Sequence, residues 1–344
     1  MTRRFFAIAL AAAILSPTFS HSAVADSAAN KASADFVEIT PELKRSIEKG
    51  LKFLATQQQP DGSFGADRYG KHVGITAVAC LAFMSHGDLP DRGDYGPYVK
   101  KGLKFILDNA QENGLVAADV SHGPMYGHGF ATLFLAEVYG QTGDKRTHEA
   151  LVKAIRLIRD SQNKEGGWRY QPVSNDADIS VTICQVMALR AARNAGVKVE
   201  KEIIDKAVEY VRKCQNGDGG FRYMANSGSS AFPRSAAGVA TLYYAGIYED
   251  KSIDRGLAYL SRHLPGRGGS QSHYFYGHYY AAQTMFMAGG DHWKKWFTAL
   301  RAELLAKQNP QDGHWDGQAG DAYGTSMALI CLQMPHRYLP IFQK

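Results

Sequence analysis

Cysteine is scarce in this 344-residue chain, with Cys80, Cys184, Cys214 and Cys331 as the only four. None stands in a C-x-x-C pair, and each falls inside an apolar helical stretch, so buried unpaired thiols are expected. If the chain's six repeated units close into a ring, Cys80 and Cys331 occupy similar places in the inner helices of neighbouring units one and six, and a bridge between them is the alternative. Charge of one sign is also slight. The formal net charge is +6, or +4 once Arg3 and Arg4 are set aside, which does not argue for a nucleic-acid partner. Beyond the first residues no apolar run approaches the roughly 18 residues of a membrane span, and strand signals are nearly absent.

What does stand at the N-terminus is a targeting signal. Arg3 and Arg4 precede an apolar run from Phe5 to Leu15, and Ala23-Val24-Ala25 supplies a small-residue cleavage site. Residues 1–25 therefore read as a secretory signal peptide. With no cysteine near the cleavage site, a bacterial lipoprotein is not expected. The mature chain is expected to be exported, periplasmic or secreted, with no stable membrane span. Residues 26–40, rich in Ala, Ser, Asp, Asn and Lys, read as a flexible leader. Residues 41–344 read as one domain.

That domain is written as six copies of one unit. Its most regular part is a glycine-rich turn: Gln58 to Phe64, Gln162 to Trp168, Gln215 to Phe221 and Gln308 to Trp315. Looser copies begin at Gln111 and His263. The leading positions 58, 111, 162, 215, 263 and 308 lie 45 to 53 residues apart. A fixed period of this size marks a repeat architecture, in which each unit buries its apolar face against its neighbours.

Each turn separates two unlike helices. The first is amphipathic: Leu151, Ala154, Ile155 and Ile158 alternate with Lys153, Arg156 and Arg159. The second is apolar nearly all round and rich in small residues, as in Gly74 to Met84 or Val181 to Leu189. Charged outer helices alternating with buried inner ones describe an all-α, α6/α6 toroid around a central cavity. An open superhelical solenoid of helical hairpins is the structural rival.

The aliphatic or aromatic pair, the Gln and the Gly-Gly-aromatic step read here as Leu157-Ile158, Gln162 and Trp168, and as Tyr210-Val211, Gln215 and Phe221. This pattern resembles the repeat of the squalene-cyclase and protein-prenyltransferase superfamily, and the resemblance covers essentially the whole mature chain. It implies the toroid fold. It also implies that the Gln and the aromatic residue are structural, tying the outer helix to the start of the inner one.

In a closed ring the inner-helix N-termini gather at one mouth, where free amides favour anions or carboxylates. The residues there are the candidate site: Lys71-His72, Tyr126-Gly127-His128, Asp176-Ala177-Asp178, Arg234, Tyr276-Gly277-His278 and Asp321-Ala322-Tyr323-Gly324. Tyr-Gly-His occurs in units two and five, on opposite sides of a six-unit ring. These residue types suit proton transfer. Against that stand blander roles: an Asp that only caps its helix, and a Tyr-Gly-His that only lets helices approach.

The resemblance sharpens the Asp pair. Squalene-hopene-type cyclases carry D-x-D-D-T-A, whose central Asp protonates an alkene, and the matching stretch here is Asp176-Ala177-Asp178-Ile179-Ser180-Val181. Asp178 is then the candidate acid and Asp176 its hydrogen-bonded partner, while Ile179 replaces the last acid. Such a step needs a carboxyl held neutral. These cyclases usually carry a second helical domain, which this chain is expected to lack. In the prenyltransferases zinc is held by an Asp, a Cys two residues later and a distant His. Asp178 and His278 fit, but Ser180 stands in the place of the Cys. A zinc site of Asp178, His128 and His278 is conceivable, although no metal or other cofactor is expected.

The expected ligand is thus an isoprenoid-like apolar molecule, transformed or only bound, with Tyr126, His128, Arg234 and Tyr323 as binding residues. A glycan-active enzyme on the same architecture is the first alternative, using His278 and Tyr276 with Arg234. A non-catalytic interaction module is the second. The complement-like thioester domain, another toroid, needs a Cys-Gly-Glu-Gln sequence that this chain does not contain.

Overall fold

The computed structural model describes residues 37–65, 69–118, 123–266 and 272–343. The signal peptide expected at 1–25 and most of the leader lie outside the described residues. The last leader residues do not hang free. Thr40 caps the first helix, and Arg301 donates to the Glu38 carbonyl.

The described residues contain twelve α-helices and no strand, only isolated bridges. The odd-numbered helices form the outer layer: α1 (Pro41–Thr56), α3 (Gly96–Asp108), α5 (Lys145–Ser161), α7 (Lys201–Lys213), α9 (Lys251–Leu260) and α11 (Gly290–Lys307). The even-numbered helices form the inner layer: α2 (Val73–His86), α4 (Met125–Thr142), α6 (Ile179–Asn194), α8 (Phe232–Tyr244), α10 (Tyr274–Ala288) and α12 (Asp321–Gln333). Each inner helix packs on the next, and α12 packs on α2, so the ring closes. The open solenoid is thereby excluded, and no described helix is long and apolar enough to cross a membrane.

The two layers follow from composition. An outer helix such as α7 buries only one stripe, Ile203, Ala207, Val208, Tyr210 and Val211, and leaves its charges in water. An inner helix such as α2 is buried from Val73 to Ser85 and can face neighbours on every side. Small residues let those neighbours approach: a Cβ on Gly74 would stand 2.9 Å from the Gly127 Cα.

The turns join the units. Gln58 donates to its own Gly62 carbonyl and to Tyr98 O at the start of the next outer helix. Gln162 reaches Gly166 O and Ile203 O, and Gln215 reaches Gly219 O and Ser252 O. Gln308 closes the circle, donating to Gly313 O and to Ser46 O of α1 while accepting from the Ser46 hydroxyl. The repeat Gln therefore ties one unit to the next, rather than tying the two helices of its own unit. The aromatic residue does the latter: the Trp168 and Trp315 indoles donate to Ile158 O and Leu304 O of their own outer helices. Their backbone amides donate to Thr182 and Thr325 on the inner helices.

The other end of the ring is covered by the C-terminal segment. Arg337 lies over the Phe286 ring of α10, Tyr338 reaches the end of α2 at Gly87, and the Ile341 amide bonds Glu137 of α4. Leu339, Ile341 and Phe342 are buried. All four cysteines are free and buried. The Cys331 thiol points to the His278 carbonyl, whereas Cys80 Sγ faces Gly102 of α3, so no Cys80–Cys331 bridge forms.

Gln308→Ala is expected to lower unfolding free energy by about 2 kcal/mol, since it strips two carbonyls and the buried Ser46 hydroxyl of partners. Urea unfolding measures the loss. Hydrogen exchange should accelerate first in α1 and α12, at the seam, and uniform acceleration around the ring would show that the seam is not special.

Candidate functional site

A cavity of about 1590 Å³ opens at the mouth where the inner-helix N-termini converge. Its depth is set by three tyrosines of α10 that reach through the interior of the ring, past α8, to α6. Tyr276 donates to Ser180 O, Tyr280 pairs with the Cys184 thiol, and Tyr279 donates to Met187 Sδ. Tyr279 and Tyr280 have no exposure and fill the middle of the ring, while Tyr276 forms the floor of the cavity. Ile75, Val78, Phe130, Tyr323 and Met327 complete an apolar inner end.

The cap position before each inner helix varies around the ring: His72, Pro124, Asp178, Ala231, His273 and Gly320. Only His72 and Asp178 cap through the side chain. Asp178 is held from several sides. Its backbone N–H donates to Trp168 O, and its Oδ1 accepts from the Ser180 and Val181 amides at 2.8 and 2.9 Å. Its Oδ2 makes no hydrogen bond, although it is fully buried and faces Arg169, whose Nε is 3.8 Å away, and the Tyr223 hydroxyl. Burial outweighs these favourable contacts and pushes its carboxyl up to about 6.

Asp178 does not reach the cavity surface. Ser180, Tyr170 and Tyr223 stand in front of it, and the Tyr170 and Tyr223 hydroxyls are hydrogen-bonded to each other. Asp176 is not its hydrogen-bonded partner, contrary to expectation. The Asp176 side chain is half exposed and pairs with Arg169, which therefore bridges the two acids.

Of the remaining expected residues, Tyr126, Arg234, Tyr276, His278 and Tyr323 all line the one cavity. His128 does not. Its Nδ1 accepts from the Val116 amide, in the place where Thr76, Thr182, Ser235 and Thr325 accept from the turns of other units. His128 is thus a fully buried wall residue, and burial pushes it down to about 4. His278 sits at the same place in unit five, but its Nδ1 has no partner. The two Tyr-Gly-His copies are alike in sequence and unlike in environment.

Asp178, His128 and His278 do not come together as a zinc site. Among the described residues, one group could hold a cation: His314, Asp316 and Asp321 on the outside of unit six. Its His314 Nε2 is 3.2 Å from Asp316 and 4.0 Å from Asp321.

Sequence reasoning missed Arg169, Tyr170 and Tyr223. The signal was present, since Gly-Gly-Trp-Arg-Tyr and Gly-Gly-Phe-Arg-Tyr repeat at 166–170 and 219–223. Arg262 and Glu303, also at the cavity, carried no such signal, because they come from outer-helix ends.

With this geometry in hand, known proteins can be compared. Residues 131–302, half of the chain, match the family described as squalene-hopene cyclase C-terminal domain. A drimenyl diphosphate synthase from Streptomyces showdoensis is 23% identical over 184 residues, which are 52% of this chain and 32% of that protein. The chain therefore spans only about a third of that relative's length. Among solved structures, a type II terpene cyclase from Scytonema in complex with geranylgeranyl dihydroxybenzoate superposes with TM-score 0.59 at 16% identity. That match covers 87% of this chain and 98% of the cyclase. A cellobiose 2-epimerase from Bacillus thermoamylovorans gives TM-score 0.63 at 12% identity, covering 86% and 98%. An alpha-1,6-mannanase from Salegentibacter gives 0.61 at 11%, covering 86% and 99%. At such identities these structures share the fold alone. The family match over half the chain goes further, and the chain belongs to the squalene-hopene cyclase C-terminal domain family.

Proposed function

We propose that the protein holds an isoprenoid-like molecule in the central cavity and transforms it by acid-initiated cyclisation, with Asp178 as the acid. One observation carries this reading: a carboxyl group buried behind the wall of an apolar cavity, with one oxygen fixed by two amides and the other unbonded. A carboxyl raised to about 6 keeps its proton at mildly acidic pH, as alkene protonation requires. Because Tyr223 stands between Asp178 and the cavity, the proton passes through its hydroxyl in one concerted relay: the Asp178 carboxyl protonates the Tyr223 oxygen as the Tyr223 hydroxyl proton moves to an alkene carbon, leaving Asp178 ionised and Tyr223 neutral. Positive charge then develops on the neighbouring carbon, beside the rings of Tyr126, Phe130, Tyr276 and Tyr323. Aromatic faces stabilise such a cation by their quadrupoles. Arg169 takes the partner's role that the family resemblance gave to Asp176. Export rests on the signal peptide read at 1–25.

A glycan is the second reading, favoured by the polar groups His278, Glu303 and Arg234 in the same cavity. The fold is also that of a mannanase and an epimerase. In that case mannotriose or a uronate-containing glycan would bind where lipids do not.

Mass spectrometry of an organic extract, taken from protein exposed to a whole-cell lipid extract, should reveal one enriched polyisoprenoid. Val78→Trp, which fills the apolar end, should abolish the enrichment without loss of helical circular dichroism. Enrichment of nothing, or of the same lipid by both proteins, would sink the apolar-cavity reading.

Turnover of that isoprenoid should fall about tenfold per pH unit above pH 6 and should drop at least a hundredfold in Asp178→Asn. Stability gives a reading independent of substrate. The folded protein holds the Asp178 proton more tightly than an unfolded chain does, where the carboxyl titrates near 3.8. The associated stabilisation is complete below 3.8 and is lost as pH rises through about 6, a change of roughly 3 kcal/mol. Asp178→Asn retains the cap and does not titrate, so its stability relative to wild type should rise between about pH 4 and pH 7. A constant difference would mean that Asp178 is ionised throughout.

A further inference from the structure

The cavity is not uniform along its length. Its inner end is apolar, whereas its unit-four and unit-five sector holds two guanidinium groups, on Arg234 and Arg262. Among the described residues neither has a carboxylate partner within 4.0 Å, in contrast with Arg169, Arg146 and Arg212 elsewhere. Arg234 donates to Ser229 O and Arg262 to Asp218 O, both backbone carbonyls that leave the positive charges uncompensated. The Asp218 carboxylate is engaged by the Gly220 amide and the Ser230 hydroxyl. The two arginines flank the same side chain, Tyr259, and both act on its hydroxyl.

Two buried polar atoms of this sector, the Arg234 Nε and the His278 Nδ1, have no hydrogen-bond partner, and the Tyr274 hydroxyl has only the Glu303 carboxylate beside it. Groups of this kind are nearly always satisfied in folded proteins, and here they border the cavity beside two guanidinium groups, where a bound anion can take up their hydrogen bonds. They are connected through one ring: Phe232 lies 5.0 Å from His278, which lies 4.4 Å from Tyr274. The orphaned His278 has a structural cause. In five units a side chain at this place accepts a turn amide, as Thr76, His128, Thr182, Ser235 and Thr325 do. In unit five the described part of the turn, which ends at Gly266, departs from the repeat. Gly266 packs against nothing, whereas Gly62, Gly114, Gly166 and Gly219 pack against the next outer helix. The turn instead lines the cavity. Glu303 is the one acid in this sector, and it is engaged by Lys307 at 3.1 Å and by the Gly266 amide.

We infer that this sector binds the anionic head group, a phosphate or diphosphate, of the isoprenoid whose chain occupies the apolar end. Arg234 and Arg262 supply charge-assisted hydrogen bonds. Tyr274 donates its hydroxyl proton, and His278 donates from whichever nitrogen carries hydrogen. This inference rests on the isoprenoid reading for the tail, but the head-group site can be tested without it. The head group would sit beside unit five, leaving the far end of the chain free to reach the Asp178 side of the ring.

The test compares farnesyl diphosphate, farnesol and inorganic diphosphate as ligands of the full-length protein, by calorimetry at low and high salt. Farnesyl diphosphate should bind at least tenfold more tightly than farnesol, and the advantage should shrink as salt is raised. Arg234→Gln with Arg262→Gln should remove that advantage and leave farnesol affinity unchanged, which also shows that the variant folds. His278→Gln should lose part of it. Equal affinity for farnesyl diphosphate and farnesol would overturn the head-group site while sparing the isoprenoid reading. If neither lipid binds but inorganic diphosphate does so in an arginine-dependent way, the anion site stands and the isoprenoid reading falls. Absence of arginine-dependent binding by any of the three overturns the inference.

Discussion

The contact on which the rest of the molecule depends is made by one side-chain amide in each of four turns, those of Gln58, Gln162, Gln215 and Gln308. A repeat Gln donates one hydrogen bond into its own glycine turn and one to a carbonyl at the head of the next outer helix. The turn glycine supplies the necessary closeness. At Gly166, where φ is +101°, a Cβ would lie 2.1 Å from the Lys206 carbonyl oxygen. No other residue type meets both demands. A unit so joined cannot bury its inner helix alone, so the contact is only useful when the neighbour is present, and closure through Gln308 and Ser46 gives every unit a neighbour.

A frame built from turns and outer helices leaves the inner-helix caps free to vary, and the site is built there. The same repeat that holds the wall also positions the candidate acid. Trp168 is pinned by Thr182 and Ile158, and its carbonyl in turn holds the Asp178 backbone. Asp178 is therefore both a helix cap and a carboxyl starved of solvent. The cap bonds lower its proton affinity and burial raises it. Burial is the larger effect, since two amides and a guanidinium 3.8 Å away do not replace the water lost by the second oxygen.

Departures from the repeat are informative in the same way. The unit-two turn looks degenerate in sequence but keeps the standard geometry: Gly114 packs on Lys153 as Gly62 packs on Lys101. The unit-five turn has lost both its Gln and that packing, and there polar groups face the cavity without partners.

The amino-acid sequence by itself determined the helices, their two classes and the six-unit period, and it favoured a closed ring over the open solenoid that only the packing of α12 on α2 excluded. Periodicity and small-residue content act locally, and the Gln-to-aromatic spacing is strict enough to be read by eye. It also placed Tyr126, Arg234, Tyr276, His278 and Tyr323 at one cavity, because every one of them opens an inner helix. Only the tertiary structure decided which side chains turn inward. Tyr-Gly-His appears twice, yet His128 is consumed by the Val116 amide while His278 is not, and that difference lies in the turn of each unit rather than in the triplet. Asp176 and Asp178 differ by two positions, yet one faces water and the other has none. The depth of the cavity was likewise beyond the sequence: it depends on tyrosines of α10 reaching α6 through the interior of the ring, past α8, a contact between residues 96 apart along the chain.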